Sequence, residues 1–279
     1  MVEVITWSSA DVARVLRMPT AADDKYSRGV VGLRTGSTDY PGAAVLGVEA
    51  AWRTGVGMVR YLGPSRELVL ARRPETVTTD GRVQAWVIGS GTDPSTRSRA
   101  ETGALRGILA RDEPVIVDAG ALDLALGASA PVIVTPHDRE HARLREALDL
   151  GGASEDRAAA AVETAAALAA VVLLKGSSTL VATPGGTVLR VDAGVPWLAT
   201  AGTGDVLAGA IGALVAAAGS DGVVTDAASL AALAASGAWL HGRAGAIASA
   251  AYGSSGGPIT ALDVAEALPR AVGEVLAGR

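Results

Sequence analysis

Val171-Val172-Leu173-Leu174-Lys175-Gly176-Ser177-Ser178-Thr179-Leu180-Val181-Ala182-Thr183-Pro184-Gly185-Gly186-Thr187-Val188-Leu189-Arg190-Val191 is where the chain changes its way of connecting strands. Residues 171–174 form a short, uninterrupted apolar run, as expected of a strand buried on both faces. Segments 179–182 and 187–191 flank the turn-forming cluster Thr183-Pro184-Gly185-Gly186, so they read as a β-hairpin. Upstream, β-branched runs at 30–33, 56–61, 85–88, 114–117 and 132–134 alternate with longer Ala-rich segments of helical character. That alternation is the pattern of a parallel sheet covered by helices. The expected fold is therefore α/β, with a mostly parallel sheet and a β-hairpin near one edge. Downstream the chain reads as helical over 205–218, 226–251 and 261–276, the last two starting behind Thr225 and Thr260 as N-caps. The loop 253–258 joins helices, and no internal repeat or domain boundary is visible, so one domain is expected over residues 1–279.

Hydrophobic residues make up 49% of the chain and aromatic residues 3%, with no Phe, so the core must be built mainly from Ala, Val, Leu and Ile. A net charge of −5 argues against a nucleic-acid partner, which would draw on clustered Lys and Arg. Without cysteine there can be no disulfide, thiolate metal site or cysteine nucleophile. Glu3, Asp11, Arg14 and Arg17 interrupt the first twenty residues, so no secretory signal is read there. The longest apolar stretch, 206–219, is too short to span a bilayer. A cytoplasmic protein without a membrane partner is expected. The apolar helix surface at 227–238 suggests self-association.

Ala201-Gly202-Thr203-Gly204-Asp205-Val206-Leu207-Ala208-Gly209 carries the clearest chemical signal. Glycines at 202 and 204 let a ligand approach the backbone, and the following helix directs free N–H groups and its positive end at that point. Gly202, Thr203 and Gly204 thus form a candidate anion hole, with Asp205 at its mouth able to accept a proton from a substrate hydroxyl. Lys175, Gly176, Ser177, Ser178 and Thr179 offer an ammonium, a close-approach glycine and three hydroxyls, which suit a nucleotide phosphate or ribose. The spacing is not that of a P-loop. His137, in Thr135-Pro136-His137-Asp138-Arg139-Glu140, follows a strand and could bind a substrate amide or sugar, or simply open a helix. His241 sits inside an apolar helix and reads as a packing residue. Gly-rich turns at 35–44 and 89–92 and the segment Asp118-Ala119-Gly120 add three more strand ends to the same rim.

Taken in order, these segments resemble the ADP/ATP-dependent NAD(P)H-hydrate dehydratase family of the ribokinase-like superfamily, from about Gly29 to Gly245. The resemblance is carried by Tyr40-Pro41-Gly42-Ala43-Ala44, Ala51-Trp52-Arg53-Thr54-Gly55-Val56-Gly57, Gly89-Ser90-Gly91, Asp118-Ala119-Gly120-Ala121-Leu122, Thr135-Pro136-His137, Leu174-Lys175-Gly176 through Thr179, Leu198 to Asp205 and Leu240-His241-Gly242. Gly-x-Gly-Asp is shared with sugar, hydroxymethylpyrimidine and thiazole kinases, whereas Thr-Pro-His combined with Lys-Gly-x-x-Thr is more specific to the dehydratases. The resemblance departs at Asp138-Arg139, where the family usually has Pro-Gly, and at Lys25-Tyr26-Ser27-Arg28-Gly29.

What the resemblance implies is a ribokinase-like three-layer α/β/α sandwich. It implies that Ala43, Gly91, His137 and Asp205 contact a hydrated NADH or NADPH, and that Lys175 through Thr179 with Gly204 hold an adenine nucleotide. It implies ADP or ATP as co-substrate, with ADP favoured, and Mg2+ without a visible carboxylate cage. It also implies a homotetramer. With about thirty residues ahead of the first strand, it implies a stand-alone dehydratase served by a separate epimerase. The rival readings are a small-molecule kinase of the same fold and a catalytically silent adenylate sensor.

Overall fold

The computed structural model describes residues 2–222 and 224–278. Its strands are β1 (Val4–Thr6), β2 (Val30–Arg34), β3 (Met58–Tyr61), β4 (Ala85–Ile88), β5 (Val115–Val117), β6 (Val132–Val134), β7 (Val171–Leu174), β8 (Thr179–Ala182) and β9 (Val188–Val191). Its helices are α1 (Ser9–Val15), α2 (Gly42–Thr54), α3 (Arg66–Arg72), α4 (Arg99–Leu109), α5 (Asp138–Ala147), α6 (Arg157–Leu168), α7 (Thr203–Ala218), α8 (Ala227–Ala250) and α9 (Ala261–Ala277). The strands form one sheet in the order β1-β9-β8-β7-β6-β5-β4-β2-β3. Pairing is parallel from β3 through β7, then antiparallel through the hairpin β8–β9.

The hairpin lies next to the edge instead of forming it, because β1 adds parallel to β9, with Val4 opposite Val188. Sequence reading misses β1 because it is three residues long and exposed throughout, so it carries no burial pattern. The parallel strands are apolar on both faces for a physical reason: successive side chains enter different cores. Val31, Leu33, Ile116 and Leu173 pack with α2, α7, α8 and α9, whereas Val30, Val117, Val172 and Leu174 pack with α4, α5 and α6. The result is the three-layer α/β/α sandwich expected.

α7 sets the position of the site. Its Gly212 lies against Val31 and Val87 in mid-sheet, and its end, at Gly219, lies against Gln84 at the start of β4. It therefore runs antiparallel to the strands and brings its first turn to their carboxyl rim. A side chain at Gly209 would overlap the Gly47 carbonyl of α2, so small residues allow α2 and α7 to touch through their backbones.

Three expectations need correction. The helix expected from 205 begins at Thr203, which moves Asp205 into its first turn. The cap of α8 is Asp226, not Thr225: its carboxylate accepts from Ser229 N at 2.8 Å and competes better for that amide. Most of the 227–238 surface is consumed inside the chain, with Leu230, Leu233, Ala234 and Ala235 buried in the core, so it gives no support to self-association. Thr260 does cap α9, in a capping box with Asp263. No helix among the described residues is long and apolar enough to cross a membrane.

Candidate functional site

Four neighbouring strands end in residues that bond to one another. Ser90 follows β4, Asp118 follows β5, Thr135 follows β6 and Lys175 follows β7. Ser90 Oγ donates to Asp118 Oδ2 at 2.8 Å, Thr135 Oγ1 donates to Oδ1 at 2.7 Å, and Lys175 Nζ donates to Oδ1 at 3.0 Å. Asp118 is only 2% exposed, so these donors replace water around a carboxylate that could not otherwise be buried. Burial works against the Lys175 ammonium, but Asp118, Glu140 and Asp205 outweigh it and hold its pKa above the usual lysine value. Lys175 is thus a fixed cation on the rim. Sequence reading notes Asp118 only as an acidic strand end; its role as the hub depends on strand order, which spacing does not reveal.

The first turn of α7 faces this cation. Gly202 adopts φ +87° as the N-cap, a conformation that favours glycine, and so lets the chain turn into the helix. Thr203, Gly204 and Asp205 then occupy the first turn, whose N–H groups have no acceptor within the helix. Lys175 Nζ lies 3.5 Å from the point where a side chain on Gly204 would begin. Asp205 is half-buried, and its pKa is pushed up to about 7 by burial and by the Asp118 charge, against the pull of Lys175. The arrangement combines donors and a cation for an anion with a carboxylate able to take a proton near neutral pH.

Beside it opens a cleft of about 380 Å³ lined by His137, Lys175, Gly176, Ser177, Thr179 and Gly204, and on its apolar side by Leu198, Leu207 and Ala238. That volume suits a small ligand. Ser178 differs from expectation: its hydroxyl donates to Asp192 at 2.6 Å and is not part of the cleft wall. His137 caps α5, its Nδ1 accepting from the amides of Arg139 and Glu140 at 3.2 Å each, while half of its side chain stays exposed in the cleft. Helix capping and ligand contact are therefore compatible in this residue.

Arg157, absent from the sequence reading, organises the loop. It donates to the carbonyls of Lys175 and Ser178, each at 3.0 Å, and to Asp138 Oδ1 at 3.0 Å. One guanidinium thus bridges both ends of the loop and the start of α5, at the position where the family resemblance departs. On the nucleotide reading that the family resemblance implies for this loop, Arg157→Ala should raise the nucleotide's KM about tenfold, because two charge-assisted bonds that shape the loop are lost, with kcat changed far less. Steady-state kinetics check this, and an unaltered nucleotide KM would contradict it.

Ala43 and Gly91 meet on the opposite side of the rim. A side chain on Gly91 would run into the Ala43 methyl, and Gly36 N donates to Ser90 O at 2.7 Å, so the β2 and β4 ends are held together there. Ser90 connects this side to Asp118, so the two halves of the rim share one hub. A second cleft of about 370 Å³ lies between residues 92–94, 119–123 and α5, lined among others by Gly120, Glu140 and Arg143. Among the described residues, no group of three or more His, Cys, Asp or Glu side chains is placed to hold a metal ion.

A family profile described as NAD(P)H-hydrate dehydratase matches residues 31–270. The chain is 42% identical over 226 residues to a bifunctional NAD(P)H-hydrate repair enzyme of Mycobacterium tuberculosis, covering 77% of this chain and 46% of that protein. It spans about half the length of such bifunctional relatives. It is 36% identical to an ADP-dependent (S)-NAD(P)H-hydrate dehydratase of Neisseria meningitidis, covering 84% of this chain and 81% of that one. An ADP/ATP-dependent NAD(P)H-hydrate dehydratase from Bacillus subtilis, co-crystallized with ATP and Mg2+, superposes with a TM-score of 0.82 at 28% identity, covering 98% of this chain and 99% of that one. With the profile spanning most of its length and the rim built as described, the chain belongs to the NAD(P)H-hydrate dehydratase family.

Proposed function

We propose that the protein removes water from hydrated NADH or NADPH with consumption of ADP, restoring the dihydronicotinamide and releasing AMP and phosphate. The observation that carries this reading is the pairing of Asp205, a carboxylate poised near neutrality, with the Lys175 ammonium beside the first turn of one helix. The nucleotide lies in the cleft formed by Lys175, Gly176, Ser177 and Thr179, its terminal phosphate at Gly202, Thr203 and Gly204. The hydrate lies across the rim towards Gly91 and Ala43, with His137 within reach from α5. ADP as donor is supported by the naming of the Neisseria relative, and ATP is the alternative donor.

The chemistry follows from leaving-group quality. Asp205 takes the proton of the C6 hydroxyl as its oxygen attacks the terminal phosphorus, and AMP leaves. The phosphate ester then departs with that oxygen, pushed by the ring nitrogen's lone pair, and loss of a proton from C5 completes the dihydropyridine. The first-turn amides and Lys175 stabilise charge on the transferring group. Asp118 is taken up by three donors and no carboxylate cage is present among the described residues, so Mg2+ would be held by phosphate oxygens and water, as this ion commonly is. A separate epimerase and a homotetramer rest on the family resemblance alone.

The test is incubation with chemically hydrated NADH and ADP. Return of reduced-nicotinamide absorbance with equimolar AMP and phosphate supports the reading; accumulation of a phosphorylated product indicates a kinase, and no consumption indicates a silent nucleotide binder. The pH profile is a second check. Asp205 must be ionised to act and is protonated below about 7 in the free protein, so kcat/KM should fall about tenfold per pH unit below 7 and level off above it. A flat profile between pH 5 and 8, the range flanking that value, would contradict the assignment of Asp205 as base.

A further inference from the structure

The two buried histidines of the structure differ in one respect. His141 bonds to Thr164 Oγ1 through Nε2 at 2.9 Å, as a packing histidine should. His241 is 9% exposed, yet its Nε2 has no hydrogen-bond partner among the described residues. It also lines the nucleotide cleft. Its reading as a satisfied packing residue therefore does not hold, and a buried polar atom left unpaired on a cleft wall points to a ligand.

The chemistry of that ligand group follows from the ring's protonation. Burial pushes the imidazole pKa down to about 4, with Lys175 adding to the effect and a hydrogen bond to the Thr203 backbone opposing it. The ring is therefore neutral at physiological pH and carries one N–H and one lone-pair nitrogen. Among the described residues Nε2 has no partner in either tautomer, so it can accept from a hydroxyl or donate to its oxygen. A ligand hydroxyl therefore suits both tautomers, whereas a phosphate oxygen, which only accepts, suits one.

Position narrows the choice. His241 shares the cleft wall with Thr203, Gly204 and Lys175 and with the apolar Leu198, Leu207 and Ala238. A nucleotide with its phosphates at the first turn of α7 and its base in the apolar slot would place its sugar at His241. We propose that His241 Nε2 hydrogen-bonds a ribose hydroxyl of the bound adenine nucleotide, and so makes the cleft select ribonucleotides over deoxyribonucleotides. This rests on the nucleotide reading of the cleft and deepens it by naming the residue that recognises the sugar.

The test is titration calorimetry of the full chain with ADP, 2′-deoxy-ADP and 3′-deoxy-ADP. The wild type should bind one of the two analogues about tenfold more weakly than ADP. In His241→Leu, ADP itself should weaken about tenfold and the analogue's disadvantage should vanish. Its melting temperature without nucleotide should stay close to the wild type's, because leucine removes the unpaired nitrogen and the bond to the Thr203 backbone together. If the leucine variant does not fold, His241→Phe, an apolar ring of similar shape, carries the same comparison. The inference is overturned if both analogues bind the wild type as ADP does, if the disadvantage survives in the variant, or if inosine diphosphate alone, lacking the adenine amino group, loses affinity. Absence of any ADP binding to the wild type would instead remove the nucleotide reading itself.

Discussion

Asp205→Asn is expected to lower kcat by about 10²–10⁴-fold while ADP still binds, because the amide keeps the shape of the side chain but cannot take the hydroxyl proton. The same variant carries a second, independent signature. The folded-state pKa of about 7 lies above the ordinary value of 3.8, so between these limits the folded protein retains a proton that the unfolded chain has lost. Stability associated with the protonated carboxyl is present below 3.8 and is lost as pH rises through 7. Asn bears no charge to bury. The variant should therefore match the wild type in melting temperature near pH 4 and exceed it near pH 8, where its stability advantage should be on the order of 2 kcal/mol for this half-buried group. Normal turnover would remove Asp205 from catalysis, and parallel stability curves would show that its carboxylate is not penalised by burial.

Lys175→Met should be the most damaging single change to the rim. It leaves Asp118, 2% exposed, without its cation, and although Ser90 and Thr135 still donate to it, the expected loss is about 3 kcal/mol of stability. Nucleotide affinity should fall about 100-fold with loss of the ammonium beside the first turn of α7. Lys175 also holds the Asp205 pKa down, so its removal should shift the acid limb of any residual activity to higher pH. Adding Asp118→Asn to Lys175→Met should restore much of the stability, since the unpaired charge is then gone, without restoring nucleotide affinity. Denaturant melts and calorimetry separate the two effects. Recovery of both together, or of neither, would contradict the view that Asp118 exists to fix Lys175.

The parts of the fold legible from sequence are those with strong periodicity or turn chemistry: the buried parallel strands, the hairpin around Thr183 to Gly186, and the Ala-rich helices. The weak element, β1, is short, exposed and paired only at a distance of more than 180 residues with β9, so nothing local announces it. Within the site, Gly202, Gly204, Asp205 and Lys175 are legible because glycine-rich turns and a strand-end lysine have local meaning. Asp118, Arg157 and His241 are not, because their roles arise from neighbours supplied by strand order and helix packing. Arg157 reaches carbonyls 18 and 21 residues away, and His241 looks like any histidine in an apolar helix until the fold sets it beside the cleft with one nitrogen unpaired. Ser178 fails in the opposite direction: its type and spacing fit a nucleotide loop, but Asp192 captures its hydroxyl.

In the proposed mechanism the substrate's own hydroxyl oxygen becomes part of the phosphate that leaves. NADH hydrated in ¹⁸O-water, purified and turned over with ADP in ordinary water, should yield phosphate containing one ¹⁸O atom per NADH restored, by mass spectrometry. Unlabelled phosphate, with the isotope released into water, would mean that nucleotide hydrolysis and dehydration are separate events and that Asp205 does not deliver the hydroxyl to phosphorus.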